Sequence, residues 1–364
     1  MMPTISDIAL TTEKYQQFLF FPEHQSSVKW RGSLPSEFEG SILADKNIVG
    51  LCTQYKYVQD KATDIPTITF IVKTKKSRSR LTREQRFKIP SELPAFDAKR
   101  GRFSTQSKIQ TDIEESGGIS LGAGRDPAFY VERKRPVSGG LSVGNARNVT
   151  AGTLGFWVEL VDQGVIGVSN YHVLAQSDAR VGDRIVQPGR LDHKGSKNTI
   201  GSLLEFFDFK DGANLVDIAC LAPKDLADAD LFRIEKIGEW NGFTTPVPGM
   251  RVAKVGRTTG YTEGEIQAVD ATFFAPYGNE RVRFTKQIKT NCKMKPGDSG
   301  AALVDLKSRK ICGLCAALDN NGKISYANNI RYVLGRGSVS NWRVRKRAAS
   351  PAQPLRQPKR ASSR

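Results

Sequence analysis

The sequence predicts a mainly β protein, an antiparallel sandwich or barrel pair over its second half with a small α/β unit ahead of it. Three observations carry this. From Thr153 onward at least nine short apolar segments recur with glycine-bearing turns between them, the spacing of an antiparallel sandwich or barrel pair. One modest helical stretch, IRYVLGR, stands near the end of that series. Ahead of it, β-branched and aromatic runs share residues 46–115 with a basic amphipathic segment, which is α/β texture.

Taken in order, residues 1–45 form an N-terminal extension of mixed character, with a short helix expected near Thr11 to Leu19. NIVGLCTQYKYV (46–57) and TITFIVKT (67–74) read as strands joined by the polar turn QDKATDIP,. KTKKSRSRLTREQRFK reads as a strand end, a turn and a short basic helix from Leu81, with Thr82 as its cap. The prolines of IPSELPAF stop that helix,. KIQTDIEE (108–115) alternates apolar and polar residues and reads as a further strand, closing an α/β leader unit over 46–115. Residues 116–152 carry eight glycines and read as a connector of loops and tight turns. The main β domain is expected over 153–334, and the Pro-, Ala- and Ser-rich residues 335–364 as a disordered tail,.

The chain has 364 residues and a formal charge of +18, which invites a nucleic-acid reading because Lys and Arg attract phosphates. The excess is local, however. Residues 331–364 carry +10 and residues 71–110 carry +9, leaving a nearly neutral body. The tail cluster Arg343, Arg345, Lys346 and Arg347 has the chemistry to dock nucleic acid, another anionic partner or a nuclear-import receptor,. No apolar run reaches the ~20 residues of a membrane helix, so no membrane span is expected. The N-terminus lacks the basic start and apolar core of a secretory signal,. A cytoplasmic location is expected, with nuclear targeting by the tail if the source is eukaryotic.

The candidate chemistry lies in the neutral body. Of three histidines, His24 and His193 sit in polar loops, while His172 follows an apolar run in GVSNYHVLA. Asp217 interrupts the apolar run NLVDIACLAP. A buried carboxylate needs a partner, and a histidine Nδ1–H would suit it. In KPGDSGAALVD, Gly297 and Gly300 permit a tight turn,. That turn would present the Ser299 hydroxyl and aim the backbone N–H groups of Gly297 and Ser299 at one spot, where an oxyanion would form.

His172, Asp217 and Ser299 in that order, with NYHVLA, VDIACL and PGDSGAALVD around them, resemble the trypsin/chymotrypsin-like serine peptidases. The likeness is greatest to a small, disulfide-poor intracellular branch with bacterial and plant members. GRTTGYTEGEI (256–266) and RPVSGGLSVGN (135–145) are similar to segments of that branch. The motifs span about 135–334, and the leader unit is more weakly similar. The resemblance implies two antiparallel β-barrels with the site in the cleft between them. It also implies a His172–Asp217–Ser299 triad, an oxyanion hole from Gly297 and Ser299, and neither metal nor organic cofactor. Tyr171 and Ala301–Ala302 depart from the family's usual residues and bear on substrate fit.

By the same analogy, Asn291, Cys292, Lys293 and the strand Cys312, Gly313, Leu314, Cys315 wall the primary pocket. No Asp stands at the wall and Lys293 lies near it, so small or apolar side chains are expected there rather than Arg or Lys. Five cysteines do not complete a disulfide framework,. Buried free thiols are expected, with a bridge from Cys292 to Cys312 or Cys315 the alternative. The leading expectation is an active serine endopeptidase acting on protein or peptide, with a self-limiting form, its cleft blocked by the α/β leader or the glycine-rich connector, as a further reading. Self-cleavage and a homo-oligomer are left open. The alternative is a protease-fold binding module recruited by the basic tail.

Overall fold

The structure, a computed structural model, describes residues 4–20, 45–59, 61–75, 89–121, 129–161, 164–176, 178–193, 198–210 and 212–334. The basic helix expected from Leu81, His24 and the tail lie outside them.

Helix α1 (Ile5–Phe20) opens the chain, longer than the helix expected at Thr11. Thr4 and Asp7 cap it reciprocally: the Thr4 N–H and hydroxyl donate to the Asp7 carboxylate, and the Asp7 N–H to Thr4 Oγ1,. These bonds hold the Asp7 carboxyl below its usual range. Strands β1 (Ile48–Val58), β2 (Lys61–Val72), β3 (Glu92–Asp97), β4 (Arg102–Glu115) and β5 (Ile119–Leu121) complete the leader. IPSELPAF, read as a helix stop, supplies β3, which among the described residues pairs only with β4. Its Pro94 therefore sits on a sheet edge, where a missing donor costs no ladder bond. Ile8, Tyr15 and Phe20 of α1 pack on Leu51, Ile68, Phe70, Leu93 and Ile109 of the sheet. The Tyr15 hydroxyl donates to the Pro94 carbonyl at 2.9 Å.

The next region holds β6 (Val137–Gly139), β7 (Ser142–Asn145), β8 (Gly152–Thr153), β9 (Phe156–Leu160), β10 (Gly164–Ser169), β11 (Arg184–Val186) and β12 (Thr199–Phe206). After them come β13 (Ala213–Asn214), β14 (Ala219–Pro223), β15 (Ala229–Ile234) and β16 (Gly238–Glu239). Seven of these form one sheet in the order β8-β7-β11-β12-β14-β10-β9, with every pairing antiparallel. Its ends curl together. Leu154 exchanges backbone bonds with Gly140 and Leu141, and the Gly155 N–H donates to Val168. Val143, Leu154, Trp157, Ile185, Ile200, Leu203 and Leu221 fill this first barrel.

The second barrel uses β17 (Arg251–Gly256), β18 (Gly260–Tyr277), β19 (Glu280–Thr290), β20 (Ala302–Asp305), β21 (Ile311–Asp319) and β22 (Ser325–Asn329). The pairings β19-β22-β21-β20-β17-β18 close into a ring through β18–β19, all antiparallel. Between the barrels, Phe156, Val168, Ile218, Ile234 and Trp240 meet Val255, Val304, Ile311, Leu314 and Val333. Each such buried side chain contributes about 1.5–3 kcal/mol.

Two features differ from the sequence reading. The glycine-rich connector contains β5 to β8. Its glycines at 139 and 144 serve close packing, because a Cβ there would strike the carbonyl oxygens of Gly155 and Thr150. The leader sheet is also continuous with the second barrel: β1 pairs with β18 at Gly50↔Phe273 and Leu51↔Thr272. Gln16 of α1 donates to the Asp270 carbonyl at 2.8 Å, and Lys286 meets Glu13 at 2.6 Å. The long β18 serves both bodies, and its length is what the local sequence pattern did not reveal.

Candidate active site

His172 lies on a one-turn helix, Tyr171–Leu174, immediately after β10. Its Nδ1 is 2.5 Å from Asp217 Oδ2, and its backbone N–H also points to Asp217 Oδ1 at 3.3 Å. His172 is 4% exposed and Asp217 0%. The carboxylate that interrupts an apolar run is thus buried against the histidine, not turned to solvent. Its main chain is clamped from both barrels. Asn170 Nδ2 donates to the Asp217 carbonyl at 2.8 Å. Asn328 of β22 accepts from the Asp217 N–H at 2.9 Å and donates to its carbonyl at 3.0 Å.

Ser299 lies on the loop before β20, also 0% exposed. Gly297 and Gly300 have φ of +99° and +93°, the left-handed region that favours glycine. The loop is bound directly to the first barrel through Thr153 of β8. The Thr153 N–H donates to the Ser299 carbonyl at 2.8 Å, and its hydroxyl to the Gly297 carbonyl at 2.8 Å. Ser169, three residues before His172, donates to the Thr153 carbonyl at 2.7 Å. The two loops are therefore joined by β8. Ser299 Oγ donates to the Ala316 carbonyl at 3.1 Å, and His172 Nε2, buried, has no hydrogen-bond partner among the described residues. The imidazole–hydroxyl bond is not formed in this state, as is common before substrate binds.

Asp298 fixes the loop from behind. Its carboxylate accepts from the N–H groups of Thr258, Thr259 and Lys295 at 2.8–2.9 Å, from the Thr259 hydroxyl at 2.7 Å, and from Lys254 Nζ at 3.0 Å. Lys254 and Asp298 are both fully buried. Next to them Arg257 forms a bidentate pair with Asp192, and its N–H donates to Thr153 Oγ1 at 2.9 Å. The segment GRTTG is thus a cradle for the residue before Ser299. Lys254, Arg257, Thr258, Thr259, Asp192 and Asn328 were not singled out from sequence. The GRTTG motif was quoted for its resemblance, but nothing local pairs Lys254, two residues before it, with an aspartate 44 residues later.

Of the residues expected to wall the pocket, Cys292, Cys312 and Cys315 lie in an apolar cluster with Val252, Ile266, Met294 and Leu303. Leu314 faces the inter-barrel core, Gly313 pairs with Leu303 and Asn329, and Lys293 is exposed. All five cysteines are buried and unbridged, and burial pushes the Cys312 and Cys315 thiols far up. Tyr171 packs against Phe206, Phe209 and Tyr277. Burial, with Asp208 beside it, raises its phenol well above the ordinary range. His193 is in a surface turn after Asp192.

No protein-family model and no curated protein matches the chain. Solved structures do. A Cellulomonas bogoriensis chymotrypsin is 19% identical, with 54% of this chain and 93% of that one covered at a TM-score of 0.39. Thermobifida fusca protease A is 18% identical, with coverages of 55% and 94% and a TM-score of 0.40. A Nocardiopsis protease is 19% identical, with coverages of 58% and 99% and a TM-score of 0.43. The fold itself stands on the strand pairings of the chain: two antiparallel β-barrels of the chymotrypsin-like kind, with a helix-and-strand leader joined to the second.

Proposed function

We propose that the chain is a serine endopeptidase with His172, Asp217 and Ser299 as its triad, its cleft gated by the N-terminal unit. The observation that carries this reading is the buried 2.5 Å contact between His172 Nδ1 and Asp217 Oδ2, joined through β8 to the loop that bears Ser299. His172 Nε2 takes the Ser299 proton as the hydroxyl attacks the scissile carbonyl, and later gives it to the leaving amine. Asp217 holds the imidazole tautomer and stabilises the imidazolium. The N–H groups of Gly297 and Ser299 receive the oxyanion, each contributing on the order of 3 kcal/mol. Water then releases the acyl group from Ser299. Small or apolar side chains at the cleavage site are proposed, and a peptide library cleaved strongly after Arg would contradict that preference.

The test is a fluorophosphonate probe on the full chain. Labelling that maps to Ser299 and disappears in His172→Ala supports the reading, and no labelling either of the full chain or of a full chain whose Ile119–Leu121 strand is disrupted by substitution overturns it. Removing the leader is the poorer experiment, because it strips β1 from β18. A second reading, a protease-fold binding module, draws on the +10 charge of residues 331–364. It predicts no labelling, and nucleic-acid binding that is lost when 343–364 are deleted.

A further inference from the structure

Strand β21 passes directly behind the nucleophile loop, and its two edges are used differently. One edge pairs with β22 as far as Leu318↔Ser325. The other pairs with β20 only as far as Leu314, after which Cys315 exchanges 2.8 Å backbone bonds with Gly300 and Ala301. The next residue, Ala316, accepts the Ser299 hydroxyl. Beyond it the chain from β20 has turned away, and the leader's β5 takes over the vacant edge in antiparallel register, Ala317↔Leu121, Leu318↔Ser120 and Asp319↔Ile119. Antiparallel pairing makes Leu121, the C-terminal end of β5, the end nearest Ser299. A peptide laid along this edge to deliver its carbonyl to Ser299 would run in the same direction over the same residues. An edge strand has one set of free N–H and C=O groups, so it accepts one partner at a time.

We propose that β5 is an internal competitor for the substrate's main chain, and that substrate enters only when Ile119–Leu121 leaves the edge. This rests on the reading of Ser299 as nucleophile. Three features suit β5 to that task. It is tied at its entry, where Asn320 donates from its backbone N–H to the Ser116 and Gly118 carbonyls and from Nδ2 to the Gly117 carbonyl. Gly117 and Gly118, at φ +66° and +107°, make the turn. It is short, three residues, with Ile119 buried against Val49, Ile71, Ala317 and Tyr326 and Leu121 only half-buried. It belongs to the same chain, so its local concentration is of millimolar order. The complete burial of Ser299 and the 4% exposure of His172 show that something must move before a peptide reaches them.

The experiment uses the full chain carrying Ser299→Ala, so that no cleavage intervenes. A fluorescein-labelled peptide of sequence SGGISL, residues 116–121, is titrated by anisotropy against this parent and against two further variants. Ser120→Pro/Leu121→Asp weakens β5 itself, and Asn320→Ala loosens its tether, while thermal melting confirms that each is folded. Both variants are expected to bind the peptide at least about tenfold more tightly than the parent. Equal affinity across the three, or no binding to any, overturns the proposal. Fluorophosphonate labelling of the chains that retain Ser299 reports the nucleophile separately. Labelling at Ser299 is expected in the chain carrying the β5 changes, where the edge is open. Peptide exchange without labelling would overturn the nucleophile and the inhibitory meaning of the exchange, leaving the peptide-binding edge.

Discussion

The regions around Asp217 and Asp298 each bury a carboxylate completely, and they spend their hydrogen bonds in opposite ways. At Asp217 the main chain is held by Asn170 and Asn328, while among the described residues the carboxylate accepts only from His172. At Asp298 the carboxylate itself takes five donors, one of them the buried ammonium of Lys254. A buried charge with a full set of donors is a fixture, since any change of its state leaves several groups unpaired. A buried carboxylate that faces a histidine ring is placed to orient that ring, and the proposed triad uses it so,. Burial alone does not distinguish the two carboxylates, and their donor sets do.

Substitutions can break that distinction, starting with those of largest effect. Ser299→Ala is expected to lower peptide hydrolysis by ~10⁴-fold or more with an unchanged melting curve. Undiminished turnover would remove the triad from this site. Asp217→Asn is expected to cost about 10⁴-fold in kcat. Asp298→Asn and Lys254→Met each strand a buried partner and should cost about 3–5 kcal/mol of stability, read in urea unfolding. If Asp217→Asn instead unfolds the chain and Asp298→Asn alters only the rate, the two roles have been assigned the wrong way round. Asn328→Ala removes one of the two side-chain clamps on the Asp217 main chain, and a loss of about 1–3 kcal/mol of stability is expected,. Recovery of that stability by Asn328→Gln would argue against a strict positional demand. Thr259→Val removes one of five donors to Asp298 and should cost about 1 kcal/mol, the smallest change of the set.

His172, Asp217 and Ser299 could be picked from the sequence because each is chemically conspicuous in place: a histidine after a strand, an acid inside an apolar run, a serine between glycines. Lys254 and Asn328 were not legible in the same way. Each stands in a strand, where a polar residue is ordinarily read as facing solvent, and each partner lies 44 or 111 residues away in the chain.

The sequence by itself determined the class of the fold and marked three residues as candidates, because strand periodicity, turn glycines and a carboxylate in an apolar run are local signals. Tertiary structure alone decided that β18 is long enough to join the leader to the second barrel. It also decided that glycines of the supposed connector lie in strands packed against carbonyls, and that Ile119–Leu121 lies on the edge beside Ser299. Those outcomes depend on which backbone groups remain unpaired once the barrels have closed. That is a property of the assembled sheets and of no single segment.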